Sequence, residues 1–343
     1  MLASLGPDQV VGRAFATDLG AVPVSAVPVA VMAALGAGVV GDRVPRPAAR
    51  WATMVRVPSV RAMESDDVAA CESLWHDAFH AMRVAYHLPV AAIGDAEHEQ
   101  ARRHMALVRD TDPGGSWVAL QRDEIVGFTQ ALRRDDLWVL SLLAVALAHQ
   151  GRGVARTLLD RALSYGDPSS PGMIMSSRHP AALHRYVQAG FALHPTVAAR
   201  GVVRRSGLKA GTTVQVGGPG DLETVAHVDR RLRGASHGPE MRLMLDEGAQ
   251  LLMVPGRGYA LARPGGVRVM GAVDDETAGA LLAAALAVSP EGTVVDVNWI
   301  TGAQQWAIRV CSDLGLELHP VGAVMVRGRP GPLAPYLPSG AYG

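Results

Sequence analysis

The chain has 343 residues, long for one compact core and comfortable for two domains of ordinary size. Apolar residues make up 49% and charged residues 19%, and 32 Lys+Arg balance 32 Asp+Glu, so the composition argues against nucleic acid as a partner. The two cysteines, Cys71 and Cys311, lie far apart without a C-x-x-C pair, which argues against a disulfide framework or zinc knuckle and fits a reducing cytoplasm.

Residues 1–53 read as a leader outside the fold. Within them Leu19 to Gly41 is uncharged and nearly long enough to span a bilayer. Pro23 and Pro28, the reliance on Ala, Gly and Val, and acidic Asp8 and Asp18 argue against a membrane span or a signal peptide.

Residues 54–207 are expected to form a first domain. The run VRVPSV, Val55 to Val60, reads as a strand, followed by Ser65 and Asp66 as helix N-cap candidates. In the helix from Asp67 to Tyr86, residues Val68, Cys71, Leu74, Trp75, Ala78, Phe79 and Met82 recur at spacings of three and four, giving one apolar face. A second helix is expected from Asp95 to Arg109. The runs SWVALQR, EIVGFTQALR and DLWVLSLLAVAL, joined by short polar turns, read as an antiparallel meander. A helix in HQGRGVARTLLDRAL, a strand in PGMIMSS, a helix in HPAALHRYVQAG and a strand in FALHPTVAARGVVR complete the order βααβββαβαβ.

Residues 211–330 are expected to form a second domain. GLELHP at Gly315 echoes GFALHP at Gly190 with an offset of 125 residues, and a helix, preceded by a strand-like run, comes before each. The second half therefore reads as a diverged copy of the first. The tail, residues 331–343, is rich in proline and glycine and is expected to be an extended arm packed over a surface. The fold class is α/β in the α+β sense: two tandem domains, each a mixed, mostly antiparallel sheet flanked by helices.

The stretch HQGRGVARTLLDRAL puts a glycine-broken turn between a strand and a helix. A helix start offers unpaired backbone N–H groups and the positive end of the macrodipole, and glycine has no side chain to keep a phosphate away. Alone this is a weak signal, because many strand-to-helix turns use glycine for steric reasons. Glu72, His76 and His80 share a helix face at spacing four, as metal ligands do. Without a second ligand cluster the expectation is a solvated face or part of an acceptor pocket, and no metal.

Val145 to Ala155, VALAHQGRGVA, resembles the acetyl-CoA pyrophosphate loop of the GNAT N-acetyltransferase superfamily, whose Q/R-x-x-G-x-G/A pattern falls on Gln150, Gly153 and Ala155. A second signature, Y-x-x-x-G-F, falls on Tyr186, Gly190 and Phe191. The resemblance covers about residues 56–205, and the whole chain, including the PYLPSGAY tail, is similar to tandem-GNAT proteins of actinobacterial type. It implies acetyl-CoA as cosubstrate and direct attack of an amine on the thioester. Gln150 and the amides of Gly151, Arg152, Gly153, Val154 and Ala155 would hold the pyrophosphate. The backbone of Leu143, Ala144 and Val145 would pair with the pantetheine and polarise the thioester carbonyl. His179 stands where an asparagine often contacts the cofactor, and Tyr186 would protonate the leaving thiolate, its other reading being a packing tyrosine.

The sequence departs from the family pattern at Ser141, where many members carry an acid, and at Leu147, which replaces a common proline. The same offset carries Gln150 to Ala155 onto Asp275 to Ala280, DETAGA, preceded by Asp274, and carries Tyr186 onto Cys311. Acidic groups repel a pyrophosphate, so the second copy is expected to be degenerate. The expected function is a cytoplasmic acetyl-CoA-dependent N-acetyltransferase acting on a primary amine in the first domain. The alternative is an acetyl-CoA-binding regulatory module with little turnover. The acceptor and the oligomeric state stay open: a closed acidic cavity opposite Val145 would indicate a polyamine or aminoglycoside, an open groove a peptide.

Overall fold

The computed structural model describes residues 58–88, 90, 92–203 and 212–343. The expected leader, with the apolar stretch from Leu19 to Gly41, lies outside the described residues. Among the described residues no helix is long and apolar enough to cross a membrane.

The first half follows the expected order: β1 (Ser59–Ala62), α1 (Asp67–Ala85), α2 (Asp95–Thr111), β2 (Ser116–Gln121), β3 (Glu124–Arg134), β4 (Leu137–Val145), α3 (Val154–Ser164), β5 (Gly172–Ser177), α4 (Pro180–Gln188) and β6 (Ala192–Val202). The alternation of apolar residues makes β2, β3 and β4 an antiparallel meander, with β1 paired on its edge. Helix α1 buries Val68, Cys71, Trp75, Ala78 and Met82 on the face that its spacing defines. Its N-cap is Asp66, one of the two candidates, although the Asp66 side chain makes no capping hydrogen bond. Instead the Asp67 carboxylate accepts from the Glu64 N–H at 2.7 Å and from Arg61 at 2.6 and 2.8 Å.

The second half contains β7 (Gln215–Gly217), α5 (Leu222–Arg233), α6 (Pro239–Asp246), β8 (Gln250–Val254), β9 (Gly258–Arg263), β10 (Gly266–Ala272), α7 (Asp275–Ala287), β11 (Val294–Thr301), α8 (Gln305–Asp313), β12 (Glu317–Arg327) and β13 (Tyr336–Leu337). The echoed hexapeptides open the β6 and β12 segments, and these two strands pair antiparallel, with Val197 opposite Pro320 and His194 opposite Val324.

Each half gives its last strand to the other. The sheet runs β1-β2-β3-β4-β5-β12-β6-β11-β10-β9-β8-β7, so β12 separates β5 from β6. β5 pairs with β12 and β6 with β11, the two matings that a twofold between diverged copies relates to each other. One apolar core consequently spans both halves, joining Leu132, Val139 and Met175 to Leu232, Tyr259, Tyr336 and Tyr342. Separate cores lie under α1 and α2, under α3 and α4, and under α7 and α8.

Candidate active site

Parallel strands β4 and β5 pair only at Trp138–Gly172, Val139–Met173 and Leu140–Ile174. Beyond Leu140 they part. Leu142, Leu143, Ala144 and Val145 keep β3 as strand partner, opposite Gln130, Thr129, Phe128 and Gly127. Ser141 is the extra residue in a β-bulge between Leu140 and Leu142, which turns the strand just where it leaves β5. The β5-facing edge of β4 therefore offers backbone groups to an extended ligand.

The chain then makes a 3-10 turn at Leu147–His149 and reaches Gln150, whose side-chain amide donates to the Val145 carbonyl at 3.0 Å. That bond ties the loop to the strand end. Gly151 and Gly153 have φ of +73° and +86°, the left-handed region that favours glycine. Gly153 is the N-cap of α3, whose start has no side-chain cap and no acid in its first turn. A Cβ at Gly153 would meet nothing within 4 Å, and Gly151, Arg152 and Gly153 are exposed. The amides of Val154 and Ala155 thus belong to an open helix start, able to hold a pyrophosphate.

Tyr186 lies on the buried side of α4, fully enclosed among Trp138, Leu158, Ile174 and Phe191. Its hydroxyl has no hydrogen-bond partner among the described residues, and burial pushes the phenol well above its ordinary range. An orphaned buried hydroxyl costs about 1–3 kcal/mol, a cost that a ligand atom bonding to it would relieve. His179 is the N-cap residue of α4, half-buried, with its ring 6.2 Å from that of Tyr86. Burial holds its imidazole below the usual value, so it favours the neutral form. The open strand edge, the uncapped helix start and the orphaned hydroxyl together fit acetyl-CoA.

The corresponding places in the second half are closed. Asp275 to Ala280 are not a loop, as the offset suggests, but the first turns of α7. Its N-cap, Asp274, accepts from the Thr277 N–H at 2.8 Å and pairs with Arg257 at 2.5 Å. Asp275 and Glu276 add negative charge to the first turn. β10 and β11 pair in parallel only at Gly266–Asp296. Beside that point β13 adds to β10, with Leu337 opposite Met270 and Tyr336 opposite Gly271. The tail is therefore inserted as a strand, not laid over a surface, and residues 335–343 are all buried. Cys311 is fully buried, and burial pushes its thiol up to about 12.

Two cavities adjoin the parted strands. A small one is lined by Ser141 and Leu142 of β4, Trp75, His104, Met105 and Tyr342. There the Tyr342 hydroxyl meets His104 Nδ1, and His104 Nε2 lies 2.8 Å from the Glu247 carboxylate. The larger one, about 440 Å³, shares Trp75 with the first. Its wall includes Phe79 and Arg83 of α1, Ser177 and Arg178 at the end of β5, and, from the second half, Arg268, Asp296 and Trp299. Arg83, Arg178, Arg200 and Arg268 make it basic, so it is not the acidic pocket that would indicate a polyamine or aminoglycoside. Sequence reasoning missed His104, Tyr342, Arg268 and Trp299, which come to the site from a helix without a motif, from the tail and from the second copy.

Of Glu72, His76 and His80, the two histidines line the larger cavity, as the acceptor-pocket reading expects, whereas Glu72 does not face solvent. Glu72 is 1% exposed, with His98 Nδ1 at 2.6 Å and Arg102 at 3.5 Å, and so fastens α1 to α2. Among the described residues no group of three His, Cys, Asp or Glu is arranged to hold a metal ion.

Residues 94–203 match the acetyltransferase (GNAT) domain family. The fold is similar to that of a candidate acetyltransferase from Pyrococcus horikoshii, at 18% identity and a TM-score of 0.67, over 87% of this chain and all of that one. It is also similar to a GCN5-related N-acetyltransferase from Sphaerobacter thermophilus, at 17% identity and a TM-score of 0.50, over 80% of this chain and 96% of the other. The βααβββαβαβ order, the parted parallel strands and the glycine-broken helix start thus lie in a first half whose residues 94–203 match the acetyltransferase (GNAT) domain family, in a chain whose fold is similar to that of these acetyltransferases.

Proposed function

We propose that the protein transfers the acetyl group of acetyl-CoA to a primary amine, and that it does so in the first half of the chain. The observation that carries this reading is the contrast between two helix starts, glycine-broken and uncapped at α3 but acid-capped at α7. A pyrophosphate gains from the first and is repelled by the second. The second copy is accordingly a degenerate partner that completes the acceptor cavity.

In this mechanism Gln150 to Ala155 hold the pyrophosphate, and the free edge of Leu143, Ala144 and Val145 positions the pantetheine arm. The amine nitrogen attacks the thioester carbonyl carbon, the C–S bond breaks, and the leaving thiolate takes the Tyr186 proton. A phenol held above its ordinary range stays protonated until that charge develops. Ser141 cannot serve unaided as the base. The chain from Tyr342 through His104 to Glu247, which opens on the cavity at Ser141, gives the proton lost by the amine a path.

Release of CoA thiol with a panel of amines tests the reading. Amine-dependent release supports it; binding of acetyl-CoA without release under any amine would favour a regulatory module instead.

A further inference from the structure

Among the described residues, four arginines, Arg83, Arg178, Arg200 and Arg268, line the 440 Å³ cavity together with one carboxylate, Asp296. Asp296 is committed to Arg200 at 2.5 Å, and Arg178 donates to the Tyr86 carbonyl at 2.6 Å while lying over the Tyr86 ring. Arg268 is different. Its Nη2 is shielded from solvent and has no hydrogen-bond partner among the described residues. Burial and, after it, Arg263 push this guanidinium down to about 9, against an opposing contribution from the Glu247 carboxylate.

A second orphaned donor lies in the same wall. β11 has a register shift between Val297 and Ile300, and within it Trp299 takes φ of +62°. A bulky residue in the left-handed region is a true outlier that the surrounding structure must hold in place. The bulge leaves the Trp299 indole N–H buried and, among the described residues, also without a partner. Two buried donors, one of them cationic, each cost free energy until an acceptor meets them. A planar carboxylate suits a guanidinium edge, which it can accept from in bidentate fashion.

We infer that the amine acetylated by this protein carries a carboxylate, bound by Arg268 and Trp299 of the second copy while the amine reaches the parted β4 and β5 strands. The inference rests on the proposed amine acetylation for its reaction, but the anion site stands on the cavity alone. The second copy thereby selects the acceptor that the first copy acetylates. The cavity is of the size that takes a single small molecule.

The test uses amines in matched pairs that differ by one carboxylate, such as ornithine with putrescine and phenylalanine with phenethylamine. Both CoA release and thermal stabilisation of the full chain are read. The expected result is a kcat/KM about tenfold or more higher for the carboxylate-bearing member of a pair. Arg268→Gln should raise KM for that member about tenfold with a smaller change in kcat, and leave KM for the decarboxylated member unchanged. If Arg268→Gln fails to fold, the wild-type preference within pairs still decides. If no amine releases CoA, the reaction reading fails, and the binding arm then judges the site: stabilisation by the amino acid and not by its decarboxylated partner upholds it. Equal response within pairs, preference for the decarboxylated member, or preference for phosphoethanolamine over every carboxylate would overturn the inference.

Discussion

The carboxylate of Asp274 accepts the backbone N–H of Thr277 at 2.8 Å, closing the start of α7, whereas Gly153 leaves the start of α3 without any side-chain cap. One helix start supplies its own anion and the other is available for one. Copying the first arrangement onto the second should therefore silence it. Ala155→Glu, which puts an acid at the position of Glu276 in the first turn, should weaken acetyl-CoA binding at least about tenfold. Glu276→Ala should leave it unchanged. Calorimetric titration checks both, and for the wild type it should give one acetyl-CoA per chain; two would mean that the inserted β13 strand does not block the second copy.

Tyr186→Phe removes a hydroxyl that has no partner among the described residues while keeping the ring packed against its cluster. Stability should hold or rise slightly, since a buried unsatisfied group is deleted. The kcat should fall at least about tenfold and acetyl-CoA affinity should stay the same. Steady-state kinetics together with a melting curve separates the two roles of this residue: an unchanged kcat would make it a packing tyrosine only.

His104→Gln keeps hydrogen bonding toward Glu247 but interrupts proton transfer from Tyr342. Loss of kcat/KM should be large for an amine that is protonated at neutral pH and small for one that is already a free base. Acetyl-CoA affinity should not change. An equal loss for both kinds of amine would assign His104 to architecture rather than to the proton path.

Much of this was legible in the chain because local rules and global fold agree. The face of Val68, Cys71, Trp75, Ala78 and Met82 marks α1 by its spacing, and the glycines at 151 and 153 mark a turn whose left-handed backbone only they adopt easily. The echo of GFALHP in GLELHP announced a repeat. It did not announce that the two copies exchange their last strands, because pairing partners far apart in sequence leave no periodic trace. For the same reason the tail read as a surface arm: Tyr336 and Leu337 carry no sign that β10 has an edge to fill. Glu72 read as solvent-facing because its partners, His98 and Arg102, belong to another helix. Arg268 and Trp299 carry no motif, and only the long-range pairing of β10 and β11 brings them to the cavity wall.

Asp67 gives the fold a pH dependence of defined sign. Hydrogen bonding to Arg61, followed by the Glu64 N–H, outweighs burial and holds this carboxyl below the usual carboxylate range. A depressed folded pKa contributes stability that is complete above the unfolded value of about 3.9 and is lost as pH falls through the folded one. Asp67→Asn should cost about 1 kcal/mol at pH 7. The difference in Tm from wild type should shrink as the pH is taken below 4, and a constant difference across that range would exclude this role.

The most direct test of the account is release of CoA thiol from acetyl-CoA by the full chain, compared between wild type and Gly153→Asp. Gly153→Asp gives α3 the acidic N-cap that α7 already has. The account predicts amine-dependent release by the wild type and loss of it in the variant, with the fold intact by circular dichroism. Undiminished release by a folded Gly153→Asp would place the reaction elsewhere and contradict it.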